Sequence, residues 1–99
     1  MAKSIIQNNK TQCFLCGRNG QGDSLEEHHV YGGPNRKNSE KYGLKVYLCG
    51  NECHRNGKFS VHQNAEVAKK VKRIAQFAAM THYKWSEDEF RTIFGKSYI

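Results

Sequence analysis

The groups able to do metal chemistry in this 99-residue chain are its four cysteines and four of its five histidines, and they interleave along the sequence. Cys13 and Cys16 are separated by two residues and precede Gly17, the form of a zinc knuckle, in which the glycine lets the backbone turn so that both thiolates reach one ion. Cys49 and Cys53 are separated by three residues and follow an apolar run. Two such pairs supply the four sulfur ligands of a closed tetrahedral site, so one structural zinc on Cys13, Cys16, Cys49 and Cys53 is expected. A redox pair or a disulfide could use the same residues, but paired cysteines in a reducing cytosol are more often zinc ligands. Between the pairs stand His28 and His29, and beyond them His54 and His62. Neighbouring residues of a strand point to opposite faces, so one of the adjacent imidazoles can reach a metal while the other faces a substrate. The plain alternative is an exposed His-His dipeptide with no role.

These groups need elements to hold them. Leu25 to Tyr31 reads as the strand carrying His28 and His29, and Leu44 to Leu48 as the returning strand that delivers Cys49. Gly17 to Ser24 is rich in Gly and Asn and reads as a loop. Gly32 to Tyr42 is polar and basic with no apolar period; an ordered surface loop holding Arg36 and Lys37 is expected, ended by Gly43. Arg55 to Lys58 is turn-like. Two helix starts then compete: Ser60 with Gln63 forms a capping box, and Asn64 before Ala65-Glu66 is an equally plausible N-cap. Either leaves His62 at or beside the first turn. The helix body shows Val67, Val71, Ile74, Ala75 and Ala78 as an apolar stripe, read as core, while Lys69, Lys70, Lys72 and Arg73 crowd the remaining face, read mainly as solvated. A last helix begins at Ser86, whose hydroxyl can cap the turn holding Glu89, and buries Phe90, Ile93 and Phe94 with Trp85 beside them before Gly95 ends it. Met1 to Lys10 reads as a loose arm anchored only at Ile5-Ile6.

Residues 1–99 thus make one α+β domain, too small for a large core and in need of a staple, which zinc would provide. No leader pattern and no apolar run near the ~20 residues of a bilayer span is present, so no membrane partner and a cytosolic location are expected. Sixteen Lys and Arg against nine Asp and Glu give a formal net charge of +7, which favours a polyanionic partner.

The order Cys-x2-Cys, His-His followed by Gly-Gly, an apolar strand ending in Cys, then Cys-His and a further His resembles the HNH endonucleases, the ββα-metal nucleases. More narrowly, Glu27 to Gly33, the run Asn35 to Leu44, Val61-His62-x-Asn64 and the ending Ile93 to Tyr98 are similar to the small HNH proteins encoded by bacterial prophages. The resemblance spans Cys13 to Ile99. It implies a ββα-metal (HNH, His-Me finger) core with a hairpin stapled by zinc on four cysteines, and C-terminal helices. The implied activity is divalent-metal-dependent hydrolysis of DNA with little sequence specificity, in the cytoplasm of a bacterial host. By carry-over His28 is a metal ligand and His29 the general base, as in the colicin-type domains, while His54 and His62 complete the site of a catalytic Mg²⁺, Mn²⁺, Ni²⁺ or Zn²⁺. That assignment suits the chemistry, because phosphodiester hydrolysis needs a cation on the phosphate oxygens and a base for the attacking water. Arg36, Lys37, Lys41, Lys45, Arg55 and Lys58 are the expected DNA contacts.

Two departures from the family pattern stand out. The middle Asn that orients the base has no obvious equivalent before Leu44; Asn35, Asn38 and Asn64 are the candidates. His54 and His62 are eight apart, so a turn at Asn56-Gly57 must fold one back. The competing functional reading is a zinc-bearing nucleic-acid-binding module of phage origin with little or no turnover, and a third is a small protein that modulates a host or phage protein. Substrate form, catalytic metal and action alone or within a packaging or recombination complex are left open.

Overall fold

The computed structural model describes residues 3–99. Strand β1, Leu25–His29, runs antiparallel to β2, Lys45–Cys49, with Leu25 opposite Cys49 and His29 opposite Lys45. Alternation sorts β1 into two faces, Glu26 with His28 and Glu27 with His29. The α+β architecture is completed by helices packed on this two-stranded sheet.

The segment joining the strands is not the expected loop. A 3-10 turn over Gly33–Asn35, opened by Pro34, leads into helix α1, Arg36–Tyr42. Seven residues are too few to be stable alone, and tertiary bonds hold them. The buried Ser39 hydroxyl accepts the Tyr31 N–H at 3.0 Å and donates to the Tyr31 carbonyl at 2.8 Å. Asn35 and Asn38 donate to the carbonyls of Phe94 and Ile93 at 2.9 and 3.2 Å. Gly43 ends α1 at φ +72°, with the Lys3 carbonyl where a Cβ would stand, so glycine is required there twice over.

After β2 the chain makes a π-helical turn, Gly50–Arg55, whose leading N–H groups, those of Asn51 and Glu52, donate to the Asp23 carboxylate at 2.8 and 2.9 Å. Gly57 then reverses it so tightly that a Cβ would fall 1.9 Å from the Glu52 carbonyl oxygen. The chain then passes back beside the turn, with N–H groups of Val61 and His62 bonded to the carbonyls of Cys53 and His54. Of the two helix starts, Asn64 wins: its side chain accepts from the N–H groups of Glu66 and Val67, and α2 runs Ala65–Tyr83. Ser60 instead closes the preceding turn by accepting the Gln63 N–H. Helix α3, Glu87–Phe94, has the expected capping box at Ser86 and a Gly95 cap at φ +85°.

The core lies between the sheet, α2 and α3, with Leu44, Val46, Leu48 and Phe90 fully buried. Burial of a side chain such as Phe90 is worth about 1.5–3 kcal/mol. Three expectations shift. The buried face of α2 is Val71, Ala75, Gln76 and Ala79, turned away from Ile74, which is 45% exposed. The cause is the C-terminal tail: Gln76 donates to Ser97 Oγ and accepts the Tyr98 N–H at 2.7 Å, so a satisfied amide replaces an aliphatic group at the interface. Trp85 stacks on Tyr83 and meets Tyr42 edge-on rather than joining the Phe90–Phe94 pair. The described part of the N-terminal arm is docked, not loose: Ile5 N–H bonds to the Gly43 carbonyl, Ser4 Oγ to the Lys45 carbonyl, and the Gln7 side chain accepts the Tyr47 N–H. Met1 and Ala2 of that arm lie outside the described residues. No helix among them is long and apolar enough to cross a membrane.

Candidate functional site

The Sγ atoms of Cys13, Cys16, Cys49 and Cys53 lie within 4.8 Å of one another. β2 delivers Cys49 at its last residue and the π-helical turn presents Cys53 just after it. Gly17, at φ +78°, lets its N–H fold back onto the Cys13 carbonyl at 2.9 Å. Sγ of Cys16 and Cys49 stand 3.5 Å apart, close to the ~3.8 Å that two ~2.3 Å zinc–sulfur bonds make at a tetrahedral angle. Burial pushes the Cys49 thiol up to about 12 and raises that of Cys53 as well. At Cys13 burial acts the same way but is outweighed by backbone N–H groups, first that of Cys16, which bring it down to about 7. Four sulfurs gathered this closely make a site that a cation can complete, and these four cysteines can hold a structural zinc ion.

The second group comprises His28, His54 and His62, whose donor atoms also fall within 4.8 Å. His28 comes from β1, His54 from the π-helical turn, and His62 from the chain reversed at Gly57 just before α2. His28 Nδ1 lies 3.2 Å from His54 Nε2, near the ~3.4 Å that two ~2.1 Å metal–nitrogen bonds would impose. His54 Nδ1 is 2.9 Å from the Glu26 carboxylate, which fixes the tautomer with the Nε2 lone pair toward His28. Glu26 also pairs with Arg55, and those two hydrogen bonds, Arg55's first, hold its carboxyl down to about 2. Burial, reinforced by the neighbouring His54 and His62, lowers His28 to about 3, and His62 is lowered for the same first reason. Imidazoles that stay neutral are those that coordinate.

His29 points to the other face, where its Nε2 lies 2.8 Å from Glu40 Oε1. Lys45, directly opposite on β2, places its ammonium 3.0 Å from Glu40 and 3.2 Å from Glu27. Hydrogen bonds from His29 and then Lys45 hold the Glu40 carboxyl down to about 2. Glu27, His29 and Glu40 are themselves spaced to hold a cation, and the Lys45 ammonium already stands between the two carboxylates as one. Because β1 ends at His29 and the backbone turns away at Gly32-Gly33, His29 and the three-histidine cluster border one cleft of about 470 Å³. Arg36 and Lys72 stand on its walls.

Lys45 is thus a correction: 2% exposed and engaged by two carboxylates, it has no reach to a phosphate. Of the other expected DNA contacts only Arg36 borders the cleft. Arg55 is exposed but tied to Glu26, Lys41 lies over the Tyr42 ring and Lys58 over Phe59, and Lys37 is exposed outside the cleft. None of Asn35, Asn38 and Asn64 meets His29, since all three serve as structural donors or caps. Its partner is Glu40, which reading 32–42 as a loop concealed. Glu26 was legible, since strand alternation puts it beside His28. Lys72, grouped with a solvated helix face, lines the cleft, and Tyr31 OH anchors its turn of α2 by donating to its backbone carbonyl at 2.5 Å. Comparison with protein-family models, with curated proteins and with solved structures finds no match to this chain.

Proposed function

We propose that the protein is a divalent-metal-dependent endonuclease of the HNH type that hydrolyses DNA phosphodiester bonds, with β1, β2 and α2 as its ββα-metal core. The observation that carries the reading is one cleft bordered by three imidazoles whose donor atoms converge and by a fourth, His29, held separately by a carboxylate. His28, His54 and His62 would hold the ion, with Glu26 orienting His54. A bound divalent ion supplies polarisation of the scissile phosphate and stabilisation of the departing 3′ oxygen. Glu40 accepts the Nε2–H of His29, leaving the Nδ1 lone pair to take the proton of the attacking water as its oxygen bonds to phosphorus and the P–O3′ bond breaks. Arg36 and Lys72 receive the phosphate, whose negative charge would otherwise repel the nucleophile.

The test is conversion of supercoiled plasmid by purified protein with Mg²⁺, Mn²⁺, Ni²⁺ or Zn²⁺, each against an EDTA control. Nicked or linear product that appears with metal, vanishes with EDTA and is abolished in His29→Ala supports the reading. Absence of product with every metal, from protein that retains zinc and binds DNA, replaces it with a zinc-bearing nucleic-acid-binding module.

A further inference from the structure

Beyond the histidine cleft, α2 and the C-terminal tail form a second groove of about 560 Å³, with Lys69, Lys72, Arg73, Lys96 and Tyr98 in its walls and no carboxylate side chain among its lining residues. Lys72 and Ala68 line both hollows, so the groove continues from the cleft. Its cations are crowded: the ammonium groups of Lys72 and Lys96 stand 5.4 and 5.2 Å from the centre of the same Tyr98 ring. Among the described residues, none of Lys69, Lys72, Arg73 and Lys96 is within ion-pair distance of a carboxylate, although Arg91, Lys45 and Arg55 each have one. Like charges gathered without ion-pair partners repel one another, and an anionic partner relieves that repulsion.

We infer that this groove is the binding track for a nucleic-acid strand leaving the cleft, with Lys69, Arg73 and Lys96 contacting the phosphates that flank the one over the histidines. The inference rests on the nucleic-acid part of the proposed function but not on turnover. The helix itself supplies the control. Lys69 and Lys70 are adjacent, equally charged and both exposed, yet Lys69 lines the groove while Lys70 borders a different hollow, beside Cys16 and Cys53 of the zinc cluster. Diffuse attraction to a +7 protein makes the two lysines equivalent. A phosphate track does not.

The experiment is fluorescence anisotropy with a labelled duplex of about 24 base pairs and the corresponding single strand, without added divalent ion, across a salt series, for Lys69→Gln, Lys70→Gln and Lys96→Gln. Lys69→Gln and Lys96→Gln should each weaken binding by roughly three- to tenfold and flatten the plot of log affinity against log salt by about one phosphate contact, while Lys70→Gln changes affinity less than about twofold. Equal effects at Lys69 and Lys70, or no effect at Lys69 and Lys96, overturn the track. Because binding is read without cleavage, a wild-type protein that cuts nothing while Lys69 and Lys96 remain selective removes the nuclease reading and keeps the groove; cleavage with Lys69 and Lys70 equivalent does the reverse.

Discussion

Replacing Glu40 by glutamine isolates what the carboxylate does for His29. The side chain keeps its shape, and the amide oxygen can still accept from Nε2 at the 2.8 Å separation, but the negative charge is gone. That charge matters when His29 takes a proton and becomes an imidazolium, since a charge-assisted hydrogen bond is roughly twice as strong as a neutral one. Two features limit the loss. Glu40 is 30% exposed, so water screens it, and Lys45 already shares the carboxylate at 3.0 Å. Removal of a partner that orients a reactive histidine costs about ten- to a hundredfold, or ~1.4–2.7 kcal/mol of barrier. The lower half of that range is expected here. Metal content and DNA affinity should be unchanged, because Glu40 stands on the opposite face of β1 from His28. His29→Ala alone should cost ~10²–10⁴-fold. The decisive variant is the double one: if Glu40 acts only through His29, adding Glu40→Gln to His29→Ala lowers plasmid nicking by no more than about twofold further. Wild-type nicking by Glu40→Gln, or losses that multiply in the double variant, would refute the dyad.

The cysteine cluster should bring about one zinc per chain by metal analysis, and Cys13→Ser or strong chelation should lower the melting temperature by at least ~10 °C, since binding energy of several kcal/mol is folding energy in so small a domain; unchanged zinc in folded Cys13→Ser excludes the site. Lys45→Met should destabilise the fold by about 1–3 kcal/mol in urea titration, discounted for its part-exposed partners, while DNA affinity of the folded protein stays within about twofold; a large affinity loss without destabilisation would return Lys45 to the DNA surface. His28 has its folded-state pKa near 3 against about 6.5 unfolded, so metal-free protein should hold its full contribution above about pH 6.5 and lose it as pH falls toward 3, by up to ~1.4 kcal/mol per pH unit. His28→Gln should flatten that part of the stability profile, and an unaltered slope would show that His28 is not the group responsible.

Most of what positions the site was written locally. Cys-x2-Cys-Gly and Cys-x3-Cys bring four sulfurs together, the strand period separates His28 from His29, and Asn64, Ser86 and Gly95 mark helix ends by cap chemistry that depends on the next few residues alone. What was hidden depends on distant partners. Helix α1 has no apolar period because its stability comes from Ser39 bonded to Tyr31 and from amides reaching the end of α3, so Glu40 could not be placed. The rotated face of α2 follows from Gln76, a residue that reads as surface until Ser97 and Tyr98 arrive to satisfy it. Lys45 shows the same limit for charge: in sequence it is one more cation in a basic chain, and only its register opposite His29 makes it internal.

The docked arm has a consequence for the edge of the sheet. A sheet of two strands has outer edges on both sides, and a free edge is a template for pairing with another chain. Along β2 that template is spent: the Lys45 carbonyl is taken by Ser4, the Tyr47 N–H by Gln7 and the Tyr47 carbonyl by the N–H of Phe14. The covering is done by side chains as well as backbone, so no third strand is extended outward in its place. Trimming the chain past Gln7 would therefore strip a seal from the strand that carries Cys49 and open that edge to pairing with another chain.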